Sequence, residues 1–89
     1  MDVTNNRAES RYELATGAEP AIAAYELGDG VITFTHTVVP RAAEGHGVGS
    51  RLIAGALAQV RAAGLKVRPQ CAFVAAYMEK HAETQDLLA

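Results

Sequence analysis

Polar and apolar positions alternate between Arg11 and Ala15, with Tyr12 and Leu14 on one side and Arg11, Glu13 and Ala15 on the other. A period of two predicts a short, half-buried strand. A turn follows at Thr16-Gly17-Ala18-Glu19, and Pro20–Leu27 predicts a second strand with Tyr25 and Leu27 on one face, its alanines weakening the pattern. Gly28-Asp29-Gly30 suits a hairpin connection. The strongest strand is Val31–Val39, rich in β-branched residues. Its two alternating sets are Ile32, Phe34, His36, Val38 and Val31, Thr33, Thr35, Thr37, Val39. Neither set carries a charge, which predicts a central place in the sheet; Pro40, without an N–H to donate, ends the strand.

Beyond Pro40 the period changes. Val48, Leu52, Ile53, Ala56, Leu57 and Val60 share one face of an amphipathic helix, with Arg61 in its last turn and Gly64 as its stop. Leu65–Pro69 reads as a short strand, and a strand–helix–strand connection of this length implies a parallel pair. In Phe73–His81, Val74, Tyr77 and Met78 recur at helical spacing; residues 82–89 form a short tail or an extra turn. Residues 1–10 are polar and aperiodic, which predicts a flexible tail ahead of a single domain at 11–89. The expected fold class is α/β (α+β): a mixed sheet of antiparallel strands followed by a β-α-β-α unit.

Composition narrows the function. With 89 residues the chain holds one modest core. A net charge of −2 argues against a general nucleic-acid binder, which needs a strongly basic face. The start, Met-Asp-Val-Thr-Asn-Asn-Arg, lacks the apolar stretch of a signal peptide, and Cys71–Met78 is far too short to span a membrane. A single cysteine allows no internal disulfide and suits a reducing cytoplasm, the expected location. One Cys and three scattered His make no metal site.

The chemistry gathers at Arg41-Ala-Ala-Glu-Gly-His-Gly-Val-Gly-Ser50. Glycines at 45, 47 and 49 let backbone N–H groups crowd together, and a helix that starts there adds its own unpaired N–H groups and its dipole. This is a seat for phosphate or pyrophosphate. A nucleotide P-loop is excluded because no lysine follows, and a dinucleotide fingerprint because Ser50 takes the sixth position and no acid lies near Pro69. The stretch Glu44-Gly-His-Gly-Val-Gly49 resembles the pyrophosphate loop [QR]-x-x-G-x-[GA] of the GNAT N-acetyltransferases, matching at Gly47 and Gly49 with an extra Gly45. It departs at Glu44, which sets a carboxylate beside an anion.

The resemblance extends along the chain. His36-Thr-Val-Val-Pro40, the glycine loop, Gly64-Leu-Lys-Val-Arg-Pro69, Cys71, and Phe73-Val-Ala-Ala-Tyr77 with Lys80-His81 resemble the minimal, single-domain YjdJ-type GNAT proteins. It implies that acetyl-CoA binds as co-substrate, without metal, in the splay between two parallel strands. It also implies that the helices with which larger relatives enclose the acceptor are lacking. The acceptor is then an amine on a small molecule or a protein, and no nucleic acid or membrane partner is expected. A small core with open sheet edges suits a monomer or weak homodimer.

Acetyl transfer needs a neutral amine, a polarised carbonyl and an outlet for the CoA thiolate. Backbone N–H groups around Val38 and Val39 could polarise the carbonyl. The N–H groups of Gly45, His46, Gly47, Val48, Gly49 and Ser50 would hold pyrophosphate, with Arg41, His46 and Arg51 as charge partners, and Lys80 and His81 would meet the nucleotide end. The same two cations are also favoured by a helix C-terminus. Cys71, just ahead of a helix, could accept an acetyl group or protonate the leaving thiolate; it could equally be a small buried apolar residue. Tyr77 sits where larger GNATs carry a general-acid tyrosine, and its spacing also fits a core position. His36, in phase with Phe34, is either a general base or a hydrogen-bonded core histidine. The leading reading is an N-acetyltransferase; the alternative is a non-catalytic CoA-binding or interaction module.

Overall fold

Two strands joined by the tightest of hairpins anchor the molecule. β3 (Ala21–Gly28) and β4 (Val31–Val38) pair from Gly28↔Val31 outward, leaving only Asp29 and Gly30 in the loop, both at positive φ (56° and 75°). That is the backbone of a two-residue hairpin turn whose twist suits the flanking strands, and Asp-Gly is its preferred sequence. The computed structural model describes residues 3–17 and 19–89. Met1 and Asp2, at the head of the expected tail, and Ala18, inside the expected turn, lie outside them.

Five strands form one mixed sheet in sequence order: β1 (Thr4–Asn6), β2 (Arg11–Leu14), β3, β4 and β5 (Lys66–Pro69). Neighbours are antiparallel except β4 and β5, which are parallel and joined by helix α1 (Val48–Ala62). Helix α2 (Ala72–Lys80) follows β5, and short 3-10 turns occupy Arg7–Glu9, Arg41–Ala43 and Ala82–Leu87. One core lies on one face of the sheet. Tyr12, Leu14, Ile32, Phe34 and Val67 meet Leu52, Ile53, Leu57 and Val60 of α1 and Val74 and Met78 of α2. The alanines that weakened the β3 pattern have a purpose: Ala21 and Ala23 are fully buried where α1 lies on β3. The other face, with Arg11, Glu13, Ile22 and Ala24, is only half-buried.

Three expectations need correction. Val31–Val39 was expected to be central; β4 is interior, between β3 and β5, but it ends at Val38 and pairs with β5 only as far as Phe34. A strand without charges need not be buried on both faces, because threonine tolerates a half-wet surface: Thr33, Thr35 and Thr37 are all intermediate. Second, the alternation in β4 is broken. Ala24 pairs with His36 but Tyr25 pairs with Phe34, so Thr35 is an extra residue, a β-bulge whose hydroxyl donates to the Ala24 carbonyl (3.3 Å). Past the bulge, Thr37 and Val39 continue the face of Ile32 and Phe34, while His36 and Val38 turn to the opposite one. Third, part of the expected tail is structured: β1 pairs with β2 from Thr4↔Glu13 to Asn6↔Arg11. Its order comes from side chains that carry no periodic signal. Tyr25 donates its hydroxyl to Asn5 Oδ1 (2.6 Å), Asn6 Nδ2 donates to Glu13 (2.9 Å), and Gln59 Nε2 donates to the Val3 carbonyl (2.6 Å). The Val3 side chain fills the space a Cβ on Gly55 would need.

The C-terminal residues close the far side. Arg61 holds both carboxylate oxygens of Asp86 (2.8 and 2.9 Å), Lys66 Nζ donates to the Asp86 carbonyl (2.8 Å), and Ala89 N–H donates to the Val67 carbonyl (2.9 Å). The Arg61 guanidinium holds the Asp86 carboxyl below its ordinary value. A carboxyl with a depressed folded-state pKa contributes stability above its unfolded value, about 3.9, and loses it as pH falls through the folded value. Acid unfolding followed by circular dichroism below about pH 4 should therefore be less steep in Asp86→Asn than in the native protein, with the two converging in strong acid.

Candidate functional site

The β4–β5 ladder runs only from Val31↔Lys66 to Phe34↔Pro69, and Cys71 N–H closes it on the Phe34 carbonyl (2.9 Å). From the bulge onward, the β5-facing edge of β4 has no strand beside it among the described residues. Backbone groups alternate sides along a strand, so N–H groups of the Thr35–Val39 stretch face this gap.

The loop after β4 brings the second element. Gly45 and Gly47 take positive φ (83° and 71°), and Gly47 is the N-cap of α1. These are left-handed conformations that cost an ordinary L-residue about 1–2 kcal/mol. No side chain caps the helix; its first internal bond is Arg51 N–H to the Gly47 carbonyl (3.1 Å). The N–H groups of Val48, Gly49 and Ser50 therefore point out of the helix end without an intrahelical partner. Gly49 makes room for a neighbour: a Cβ there would lie 2.6 Å from Cζ of Phe73, whose ring lies against the first turn of α1 and would have to shift.

Between these elements lies an open cleft of about 410 Å³, walled by Thr37 and Val39 of the released strand edge, Ala43, Glu44, Gly45, Gly47, Val48, Gly49 and Ser50 of the loop and helix end, and Phe73. It contains no cationic side chain, so whatever anion it takes must be met by backbone N–H groups and the helix dipole. The donor set fits a pyrophosphate in kind, and the strand edge fits an extended amide-bearing arm.

Among the residues singled out from sequence, Val39, Glu44, Gly45, Gly47, Val48, Gly49 and Ser50 line this cleft. Tyr77, Lys80 and His81 line a smaller adjoining hollow of about 140 Å³ that shares Ser50 and Phe73 with it. There the Tyr77 and His81 rings stack (centroids 3.8 Å apart, planes 13° apart), and His81 Nδ1 lies 2.7 Å from the Tyr77 carbonyl. A carbonyl can only accept, so Nδ1 carries a proton. Burial, aided by Glu83, pushes the Tyr77 phenol above its ordinary value, so it keeps its proton at neutral pH. Cys71 is buried at the N-cap of α2, its Sγ 3.3 Å from Thr37 Oγ1, one side chain behind the cleft wall.

Others lie elsewhere. His36 was expected in phase with Phe34, but the bulge sets it exposed on the opposite face, where its Nδ1 meets the Thr35 hydroxyl (3.3 Å). Val38 turns the same way and is 50% exposed, so only its backbone can serve the cleft. His46 and Arg51 line a separate hollow with Thr16 and Gly17. Thr37 and Phe73 were missed as site residues. Thr37 was concealed by the bulge; Phe73, 42% exposed and out of step with Val74 and Met78, is an aromatic that the core does not need.

A search of curated proteins gives no significant match. A family model described as GCN5-related N-acetyl-transferase matches residues 11–87, from β2 through the last 3-10 turn. The match takes in the bulged strand, the glycine loop and both helices. The chain belongs to the GCN5-related N-acetyl-transferase family.

Proposed function

We propose that the cleft binds acetyl-CoA and that the protein transfers the acetyl group to an amine. The observation that carries this reading is the meeting, in one cleft, of an uncapped helix N-terminus behind a left-handed glycine and a strand edge released by a bulge. Acetyl-CoA supplies the acyl carbon and departs as a thiolate. The loop N–H groups from Gly45 to Ser50 hold the pyrophosphate, and Lys80 and His81 face the nucleotide end. Strand N–H groups around Val38 and Val39 hold the thioester carbonyl in the polarising geometry of an oxyanion hole. The amine loses a proton as it attacks, and the CoA sulfur needs one as it leaves. Tyr77, protonated at neutral pH, and Cys71, linked to the cleft through Thr37, are the donors within this region. His36 can act as base only on an acceptor arriving from the opposite face of the sheet.

A second reading, a CoA-binding module without turnover, draws on one observation: among the described residues, Glu44 is the only side chain in the cleft wall that could act as a general base. Calorimetry with CoA, intact-mass measurement after incubation with acetyl-CoA, and an assay over a panel of amines separate the readings. The expected result is measurable CoA binding, acetylation of at least one amine, and no lasting acetyl adduct on Cys71. Binding with no acetylated amine and no effect of Cys71→Ala favours the module. No heat and no melting shift at millimolar CoA overturns both, because a ligand held by the native state must raise its stability.

A further inference from the structure

α1 spans 15 residues, about 22 Å at ~1.5 Å per residue, and its C-terminal end borders a different hollow. This one holds about 440 Å³ and lies between β1, the turn that follows it, the ends of β2 and β3, and Gln59 to Leu65. Two tyrosines face it, Tyr12 and Tyr25, ring centroids 5.3 Å apart. The Tyr25 hydroxyl donates to Asn5. The Tyr12 ring is buried, 3% exposed in all, but its hydroxyl makes no hydrogen bond with any described residue and opens onto the hollow. The phenol oxygen is therefore a donor free to meet whatever enters the hollow.

The surrounding groups say what. Burial, aided by Tyr25, pushes the Tyr12 phenol above its ordinary value, so at neutral pH it is a donor; the Arg7 guanidinium acts on it from the mouth in the opposite sense. Arg7 makes no ion pair among the described residues. The Ser10 hydroxyl is carried on a left-handed residue (φ 53°), and Asn5, its oxygen engaged by Tyr25, has its Nδ2 to offer. Donors with one cation complement a singly charged carboxylate. The remaining rim is apolar: Leu65, and Leu27, which is 61% exposed and the most exposed of the large apolar side chains.

We infer that this hollow is a second ligand site, taking a small carboxylic acid with a short hydrocarbon tail. The carboxylate accepts from Tyr12, Arg7 and Ser10, and the tail covers Leu27 and Leu65. An ammonium would meet the Arg7 guanidinium as a like charge, and a doubly charged phosphate would find one cation. The separation along α1 keeps it apart from the acyl cleft, so it does not depend on the proposed transferase activity.

Hexanoate, with hexanamide as its uncharged counterpart, tests this by amide NMR titration of the full chain. Hexanoate should shift the amides of Ser10, Tyr12, Leu27 and Leu65 saturably, while those of Gly47 and Ser50 stay in place. Tyr12→Phe, which keeps the core ring, and the surface change Arg7→Gln should each weaken binding at least about fivefold, and hexanamide should bind at least about fivefold more weakly. No saturable shift up to about 20 mM, unchanged affinity in both variants, or shifts confined to the glycine loop would overturn the assignment.

Discussion

Phe34→Ala is expected to remove a large share of the protein's stability. Phe34 is fully buried, packs on Tyr12 and edge-on to Tyr25 (centroids 6.1 and 6.4 Å), and is the last residue of the β4–β5 ladder. Removing a buried phenyl costs about 3–5 kcal/mol through lost transfer energy and the cavity left behind. A chain of 89 residues has roughly 4–13 kcal/mol in total, so the loss is of the same order as the whole stability. Thermal denaturation should show the melting midpoint lowered by about 15 °C or more. The effect is also local. The Phe34 carbonyl anchors Cys71 N–H, so slackening it loosens the junction where the strands part. Phe34→Leu, which keeps much of the volume, should cost nearer 1.5 kcal/mol. A midpoint for the alanine variant within about 5 °C of the native one would show that the two tyrosines can collapse into the space.

The second large effect belongs to Gly47→Val, expected to reduce CoA binding at least about tenfold, or 1.4 kcal/mol. The space around Gly47 is open, since a Cβ there would meet no atom within 4 Å, so the penalty comes from the backbone. At φ 71° a valine is badly strained, and the chain can relieve this only by rotating the N-cap and re-aiming the N–H groups of α1. The valine would also project into the cleft that Gly47 lines. Gly47→Asn offers the control, because asparagine tolerates the left-handed region. It should retain a near-native melting midpoint and more of the binding. Equal CoA affinity in the native and valine proteins, measured by calorimetry, would remove Gly47 from the site.

The legible and illegible parts of this sequence divide along physical lines. The helix at Val48–Ala62 and the β5–α2 unit announced themselves because burial on one face imposes a period that the residues must keep. The glycine loop was legible for a different reason: positive φ at positions 45 and 47 admits few residue types. What could not be read was what breaks a period. The extra Thr35 is an ordinary strand residue, so nothing marked the point at which His36 leaves the core face. Val3–Asn6 is held by hydrogen bonds with Tyr25, Glu13 and Gln59, partners outside the segment. The same holds for Phe73, whose role rests on its fit against Gly49 in another helix.

The bulge at Thr35 divides β4 between two tasks. Before it, Ile32 and Phe34 belong to the core; after it, Thr37 and Val39 belong to the cleft. The same residues paired without the bulge, Thr35 opposite Ala24, would keep Ile32 and Phe34 in the core and yet rotate the second half of the strand by a half-turn. His36 and Val38 would then replace Thr37 and Val39 in the wall, exchanging a hydroxyl beside Cys71 for an imidazole. The chemistry of the cleft wall is thus set by one irregularity of pairing, so the register of the β3–β4 hairpin decides which side chains the cleft presents.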